Sequence, residues 1–490
     1  MLRSSSTRHL AVGTYLDADF RDAVLDEVLA RRDRAVAPTF TTDAVPVVRH
    51  ALNARRHQLA RDAALTGILL LFLVVEGRTV LGVLALTGAV MLGWRALKAM
   101  LRLKAFAALA LVVPAVLLVL IAALLFESNS GWYSSINGST GYEAPVSLTG
   151  ALGRVLGVLA VLLGAAWTAV VVERLVNRQT ILDHLTAPVF DPDDSPAEPR
   201  RHSARIAYVA QAQTGNVTYY AAEHPFVGSG TVVNSWTGSV PLVLAGPGGL
   251  PLTTEALRDA LSLAVSQLSG ADAQLGDAEE VSVQERILAP STLALVDPST
   301  GLLRHRLSPE EMDDVATGAN RYLAVRSTAG ETEIWVFVRC EVQGRSLHLE
   351  LFSSSIAPVR AAYREPELGR GPGVVLRTAL GALPDLPDLL LRAPLRLLLT
   401  AAGPGSGGLR QQLRQLGTTS SAGRGARASV RELGAEDASG DFLAGLAVER
   451  HARRIEQQVL ETVATTLEQS GYDTEELRHR TQVVLDGPTR

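Results

Sequence analysis

The side chains best suited to chemistry in this 490-residue chain fall in two short stretches. The first, Glu223 to Trp236, reads EHPFVGSGTVVNSW and crowds His224, Phe226, Gly228, Gly230 and Trp236 together. Its Gly-Ser-Gly run can present successive backbone N–H groups to an anion. It lacks the Lys and Ser/Thr of a phosphate loop and the spacing of a dinucleotide fingerprint, so tight turns with aromatic packing are the expectation. The second lies on the polar face of a hairpin: Trp335, Arg339, Glu341, His348 and Glu350. An imidazole flanked by carboxylates can serve general acid/base catalysis. Cross-strand opposite-charge pairs are also ordinary sheet stabilisers, and that is the reading preferred for these residues. There is no H-E-x-x-H, G-x-S-x-G or paired C-x-x-C pattern. The ten histidines are scattered, and pairs such as His305 with Asp313 or His224 with Glu223 are not selected by spacing. No catalytic residue, cofactor or metal site is assigned, and the lone Cys340 reads as a small buried hydrophobe.

The elements that position these residues are those of an α+β domain over 203–365. Strand Glu333 to Val342 alternates Ile334, Val336, Val338, Cys340 and Val342 on one face, and Ser346 to Phe352 does the same with Leu347, Leu349 and Leu351. A two-residue Gly344-Arg345 turn of type II′ then opposes Val342 with Leu347, Glu341 with His348, Arg339 with Glu350 and Phe337 with Phe352. ARIAYVAQA (204–212) and VTYYAA (217–222) read as strands around Gly215-Asn216, and SVPLVLA (239–245) and VSVQERILA (281–289) as two more. Leu252 to Leu268 has helical spacing, with Thr253 or Thr254 as N-cap.

The remainder of the chain is dominated by aliphatic residues. Hydrophobic side chains make up 47% of the sequence but aromatics only 5%, and the net charge of −4 offers no field for a polyanion, so nucleic acid is not an expected partner. Four apolar segments, about 63–75, 79–94, 106–126 and 152–172, are expected to form two membrane hairpins, the first turning at Glu76-Gly77-Arg78 or entering only part-way. Residues 127–150 contain no Lys or Arg. Arg49, Arg55, Arg56 and Arg61, then Arg95, Lys98, Arg102 and Lys104, then Arg174 and Arg178 all fall on one face, which the positive-inside rule assigns to the cytoplasm. Neither long segment carries an Asp, Glu, Lys or His in mid-span, which disfavours a small transporter or channel.

Around this core the sequence suggests a cytoplasmic amphipathic tail (1–62, with helices over 14–34 and 45–62), a linker (176–202), and amphipathic Leu-rich helices suited to a membrane surface (366–402). A flexible linker (403–440) and C-terminal helices (441–490) follow. The C-terminal helix is suited equally to self-association, to a protein partner or to packing on the body. The fold class is thus an α-helical membrane domain plus a cytoplasmic α+β domain with antiparallel hairpins and a C-terminal helical segment. YLDADFRDAVLDEVLARRDRAVAPTF, VPVVRHALNARRHQLARD and EHPFVGSG together resemble a family of uncharacterised multi-pass membrane proteins of actinobacteria. The resemblance implies no particular reaction; the apolar segments and their basic flanks point to the inner membrane. The expected function is a membrane-anchored binding or regulatory module whose partner includes the lipid bilayer; the alternative is a membrane-bound enzyme with a site near His224 or His348.

Overall fold

Alternating apolar residues over 320–356 build the centre of a six-stranded mixed sheet. Its strands are β1 (Val217–Tyr220), β2 (Thr231–Pro241), β3 (Ser282–Pro290), β4 (Asn320–Ala329), β5 (Thr332–Gln343) and β6 (Ser346–Ile356), in the order β1-β3-β4-β5-β6-β2. Only β1 and β3 run parallel; every other neighbour is antiparallel. This computed structural model describes residues 2–30, 34–101, 114, 116–121, 148–221, 224–246, 252–271, 281–293, 295–315, 319–329, 331–364, 372–401, 424–436 and 442–486. The chain divides into two compact units: 1–53 with 183–366 and 420–490, and 54–182 with 367–419.

The first unit holds the sheet. The helices of the chain are α1 (Leu2–Leu16), α2 (Ala18–Val28), α3 (Ala44–Leu101), α4 (Leu148–His184), α5 (Arg200–Ala212), α6 (Thr254–Ala271), α7 (Pro309–Val315) and α8 (Ala361–Arg364). They continue with α9 (Pro372–Gly381), α10 (Leu386–Ala401), α11 (Val430–Leu433), α12 (Phe442–Gln469) and α13 (Glu475–Asp486). One sheet face offers Leu323, Val325, Val336, Val338, Leu347, Leu349 and Leu351 to Leu257, Leu261 and Val265 of α6 and to Ile455, Val459, Leu460 and Val463 of α12. At about 25 cal/mol per Å² of apolar surface removed from water, this layer stabilises the unit. The apolar stripe of α12 is therefore used for packing on the body. Buried Glu456 on that helix bonds the Ser353 hydroxyl and Asn234 Nδ2, beside the bulge between Val232 and Asn234.

Several elements differ from the sequence reading. Residues 204–212 are helical, not extended: Arg205, Ile206, Tyr208, Val209 and Ala212 are buried at helical spacing in α5, although Ile, Tyr and Val favour strands. The 14–34 helix is interrupted at Asp17, whose carboxylate accepts the N–H groups of Asp19 and Phe20 and so starts α2. The N-terminal helices form no separate tail, because Leu10, Phe20, Val24 and Leu25 share a core with Val47, Val48, Ile206 and Val209. Residues 231–236 begin β2 instead of a loop, and β4 was not anticipated. The 403–440 linker holds a structured part: Ala426 N donates to Tyr219 O at 2.8 Å, and Ser429 with Glu432 forms a capping box. Residues 402–423 lie outside the described residues.

The second unit is helical. Among the described residues two helices are long and apolar enough to cross a membrane, Ala44–Val75 and Leu156–His184, whose most apolar stretches have mean hydropathy of 1.7 and 2.1. The backbone of α3 stays helical through Glu76-Gly77-Arg78, where a turn was expected. Yet Asp62 and Arg95, about 50 Å apart along a straight helix, approach Arg396 (3.8 Å) and Asp388 (3.2 Å), which are only about 12 Å apart on α10. Two arginine side chains do not bridge that difference, so α3 is bent between those points, and Gly77 lies near their midpoint. Of the 106–126 segment, residues 116–121 are helical; most of it lies outside the described residues.

Candidate functional site

The second face of the sheet carries the residues that could bind or react. At its centre Trp335, wholly buried, and Phe337 stack at 6.1 Å. Phe226 reaches in from the 224–230 loop to within 4.7 Å of Phe337 and 4.9 Å of Phe352, and Phe40 lies 4.7 Å from Trp335. Two of the sequence candidates, Phe226 and Trp335, thus meet in one cluster. Aromatic clusters of this kind pack well, and the Trp335 indole N–H has no partner here.

Beside them lies Arg286 on β3, 1% exposed. Its guanidinium sits 4.4 Å from the Phe40 ring and donates once, from Nη2 to the Thr218 hydroxyl at 2.6 Å. Nε and Nη1 have no hydrogen-bond partner. Burial without a carboxylate pulls its pKa down to about 9. Sequence reading missed Arg286; its alternation with Gln284 and Leu288 in the strand over 281–289 is the available signal.

Farther along the same face the cluster gives way to a polar patch. The register predicted for the hairpin is the one observed, with Arg339 opposite Glu350 and Glu341 opposite His348. Arg339 Nη2 donates to Glu341 at 2.6 Å, its Nη1 donates to Asn320 at 3.0 Å, and Glu350 lies 3.7 Å away. The Tyr322 phenol donates to Glu350 at 2.9 Å; burial, and then the Glu350 charge, hold that phenol above its usual range. His348 is part-buried and paired in register with Glu341 and with Ser239 on β2. Arg339 and both carboxylates already have partners within the patch. At the end of the sheet, a crevice lined by Arg258, Asp313, Arg321, Cys340 and Glu341 is internally paired in the same way, with Arg321 holding Asp313 and Glu285. Burial pushes the Cys340 thiol up to about 12, so it is protonated at neutral pH.

The Gly-Ser-Gly loop does bind an anion, and the anion is part of the chain. Gly228 N and Gly230 N donate to Glu432 Oε1 at 2.9 and 2.8 Å, and Ser429 N donates to Oε2 at 2.6 Å. Both glycines have φ near +90, and a Cβ on Gly230 would stand 2.0 Å from Ser355 O. Burial raises the Glu432 carboxyl above its ordinary value against the pull of these donors. Trp236 packs on the helix-covered face, opposite Trp335, and His224 is exposed. His305 does not meet Asp313; it sits between Tyr208 and Tyr219, with Nε2 2.5 Å from the Tyr208 hydroxyl. Among the described residues no group of three His, Cys, Asp or Glu could hold a metal ion.

A family model, the AbeC-like domain, matches residues 235–489, from within β2 through the sheet, α9, α10 and the C-terminal helices. No curated protein and no solved structure matches the chain. Because the match covers a little over half of the sequence, the chain belongs to the AbeC-like domain family.

Proposed function

We propose that this protein is a membrane-anchored cytoplasmic binding module, in which the helical unit holds the α+β unit to the inner membrane and the α+β unit receives a ligand or partner. The observation that carries the anchor reading is one of connectivity and charge. The chain leaves the α+β unit after residue 53 and returns at 183, which suits an even number of bilayer crossings in between. The bend in α3 lets Asp62 and Arg95 both reach α10, which suits a hairpin. With 106–126 and 152–172 as the second hairpin, four segments result, and the basic clusters then share the cytoplasmic side with both termini.

Binding is preferred to catalysis because the polar patch neutralises itself. Glu341 and Glu350 are held by Arg339 and Tyr322. The buried Arg286, with two unpartnered donors, favours a ligand that brings acceptor atoms. Alkaline carbonate extraction together with a phosphatase fusion after Arg490 tests the anchor: the protein stays in the membrane pellet and the fusion is inactive. A soluble, detergent-free monomer or an active phosphatase fusion overturns it.

A further inference from the structure

The Leu-rich helix α10 carries its charges on a single stripe. Asp385, Asp388, Arg392 and Arg396 recur at intervals of three or four residues over about 16 Å, and so share one side of the helix. Asp385 pairs with Arg174 at 2.6 Å, Asp388 with Arg95 at 3.2 Å, and Arg396 approaches Asp62 at 3.8 Å. Those three partners stand at the ends of the apolar segments: Asp62 just before 63–75, Arg95 just after 79–94, Arg174 just after 152–172. The adjoining sector, Leu386, Leu390 and Ala393, is buried in one core with Leu65, Leu162, Ala166 and Val170. The sector beyond exposes Leu395 and Leu398, at 58% and 69%. Helix α9 is held by Trp167 Nε1 donating to Ala379 O at 2.8 Å, and exposes Leu376 and Leu380.

We propose that α9 and α10 form a membrane-interfacial collar, with α10 lying in the plane of the bilayer across the ends of the apolar helices. Its charged stripe faces the headgroups and water, and Leu395 and Leu398 enter the acyl chains. The proposal rests on the anchor reading above. Sixteen residues reach about 24 Å, short of the roughly 30 Å of hydrocarbon, so α10 does not span. A steeper path would carry some of its charges into hydrocarbon, whereas an in-plane path keeps the whole stripe at one depth. The occupant of the exposed sector is lipid, because α3 of the same unit likewise leaves Leu70, Leu71, Val74 and Val75 exposed. The segment 367–419 also begins and ends at the α+β unit, as a non-crossing element must.

The test uses the full chain in the Cys340→Ala background, reconstituted in phosphatidylcholine vesicles, with one nitroxide at a time. The sites are Leu395→Cys and Leu398→Cys on α10, Leu71→Cys on α3, and Leu263→Cys on the exposed side of α6. Collision with oxygen and with a water-soluble nickel chelate reads depth. The collar predicts positions 395 and 398 oxygen-rich and shallow, position 71 oxygen-rich and deeper, and position 263 open to nickel. Nickel access at 395 and 398 with 71 in lipid overturns the collar alone, as does a depth at 395 and 398 equal to that at 71. Nickel access at all four sites overturns the anchor reading itself.

Discussion

At the scale of single residues, the Gly-Ser-Gly loop shows how a site-like motif can be fully used within the fold. Glu432 supplies the anion, and its removal leaves the N–H groups of Gly228, Gly230 and Ser429 without an acceptor. Glu432→Ala is expected to cost about 2 to 4 kcal/mol of stability, with Glu432→Gln, which keeps one carbonyl oxygen, costing less. Urea titrations of the full chain in detergent measure both; equal stability of all three proteins would show the loop to be held by something else. His305 gives a pH signature. Burial lowers it from 6.5 to about 4, so the folded form keeps it neutral while the unfolded chain protonates it. Its contribution is complete above pH 6.5 and is lost as pH falls through about 4, at most about 3 kcal/mol in all. The urea midpoint of the parent should fall across that window more steeply than that of His305→Asn; parallel slopes would contradict the assignment.

At the scale of elements, the hairpin β5–β6 is where sequence and structure agree most closely. Strict alternation of Ile334 to Val342 against Leu347 to Leu351, with a glycine between, allows a single register in which both faces match. Gly344 has φ +62, so Gly344→Val is expected to lose about 1 to 2 kcal/mol, while Gly344→Asn loses little; thermal melts compare them, and equal melting temperatures would refute the turn. Elsewhere the signal was local while the cause was tertiary. Residues 204–212 have strand-like composition but are helical, because their buried positions follow a period of 3.6 set by the N-terminal helices they pack against. The strand β2 was hidden by Gly228 and Gly230, which read as a loop extending to Trp236. Of the site candidates, Phe226 and Trp335 converge, Arg339 and His348 lie farther along the same sheet face, and Trp236 lies on the other. Arg286 was legible only as part of a strand pattern, and Glu432 fell in a stretch read as a flexible linker. The partners that give them meaning, Phe40 and the Gly228 to Gly230 loop, are distant in sequence.

At the scale of the whole molecule, the chain alternates between its two units, leaving the α+β unit at residues 53 and 366 and returning at 183 and 420. Asp62, Arg95 and Arg174 are brought to one short helix by their ion pairs with α10. Under the proposed anchor, that convergence suits a hairpin formed by the bent α3 rather than a single long crossing. The most direct test is labelling of intact cells with a membrane-impermeant maleimide, using single cysteines at Ser139, Arg95 and His202 in the Cys340→Ala chain. The account predicts labelling at Ser139 only, with Arg95→Cys and His202→Cys reacting once the cells are opened. Labelling of Arg95→Cys from outside would contradict it.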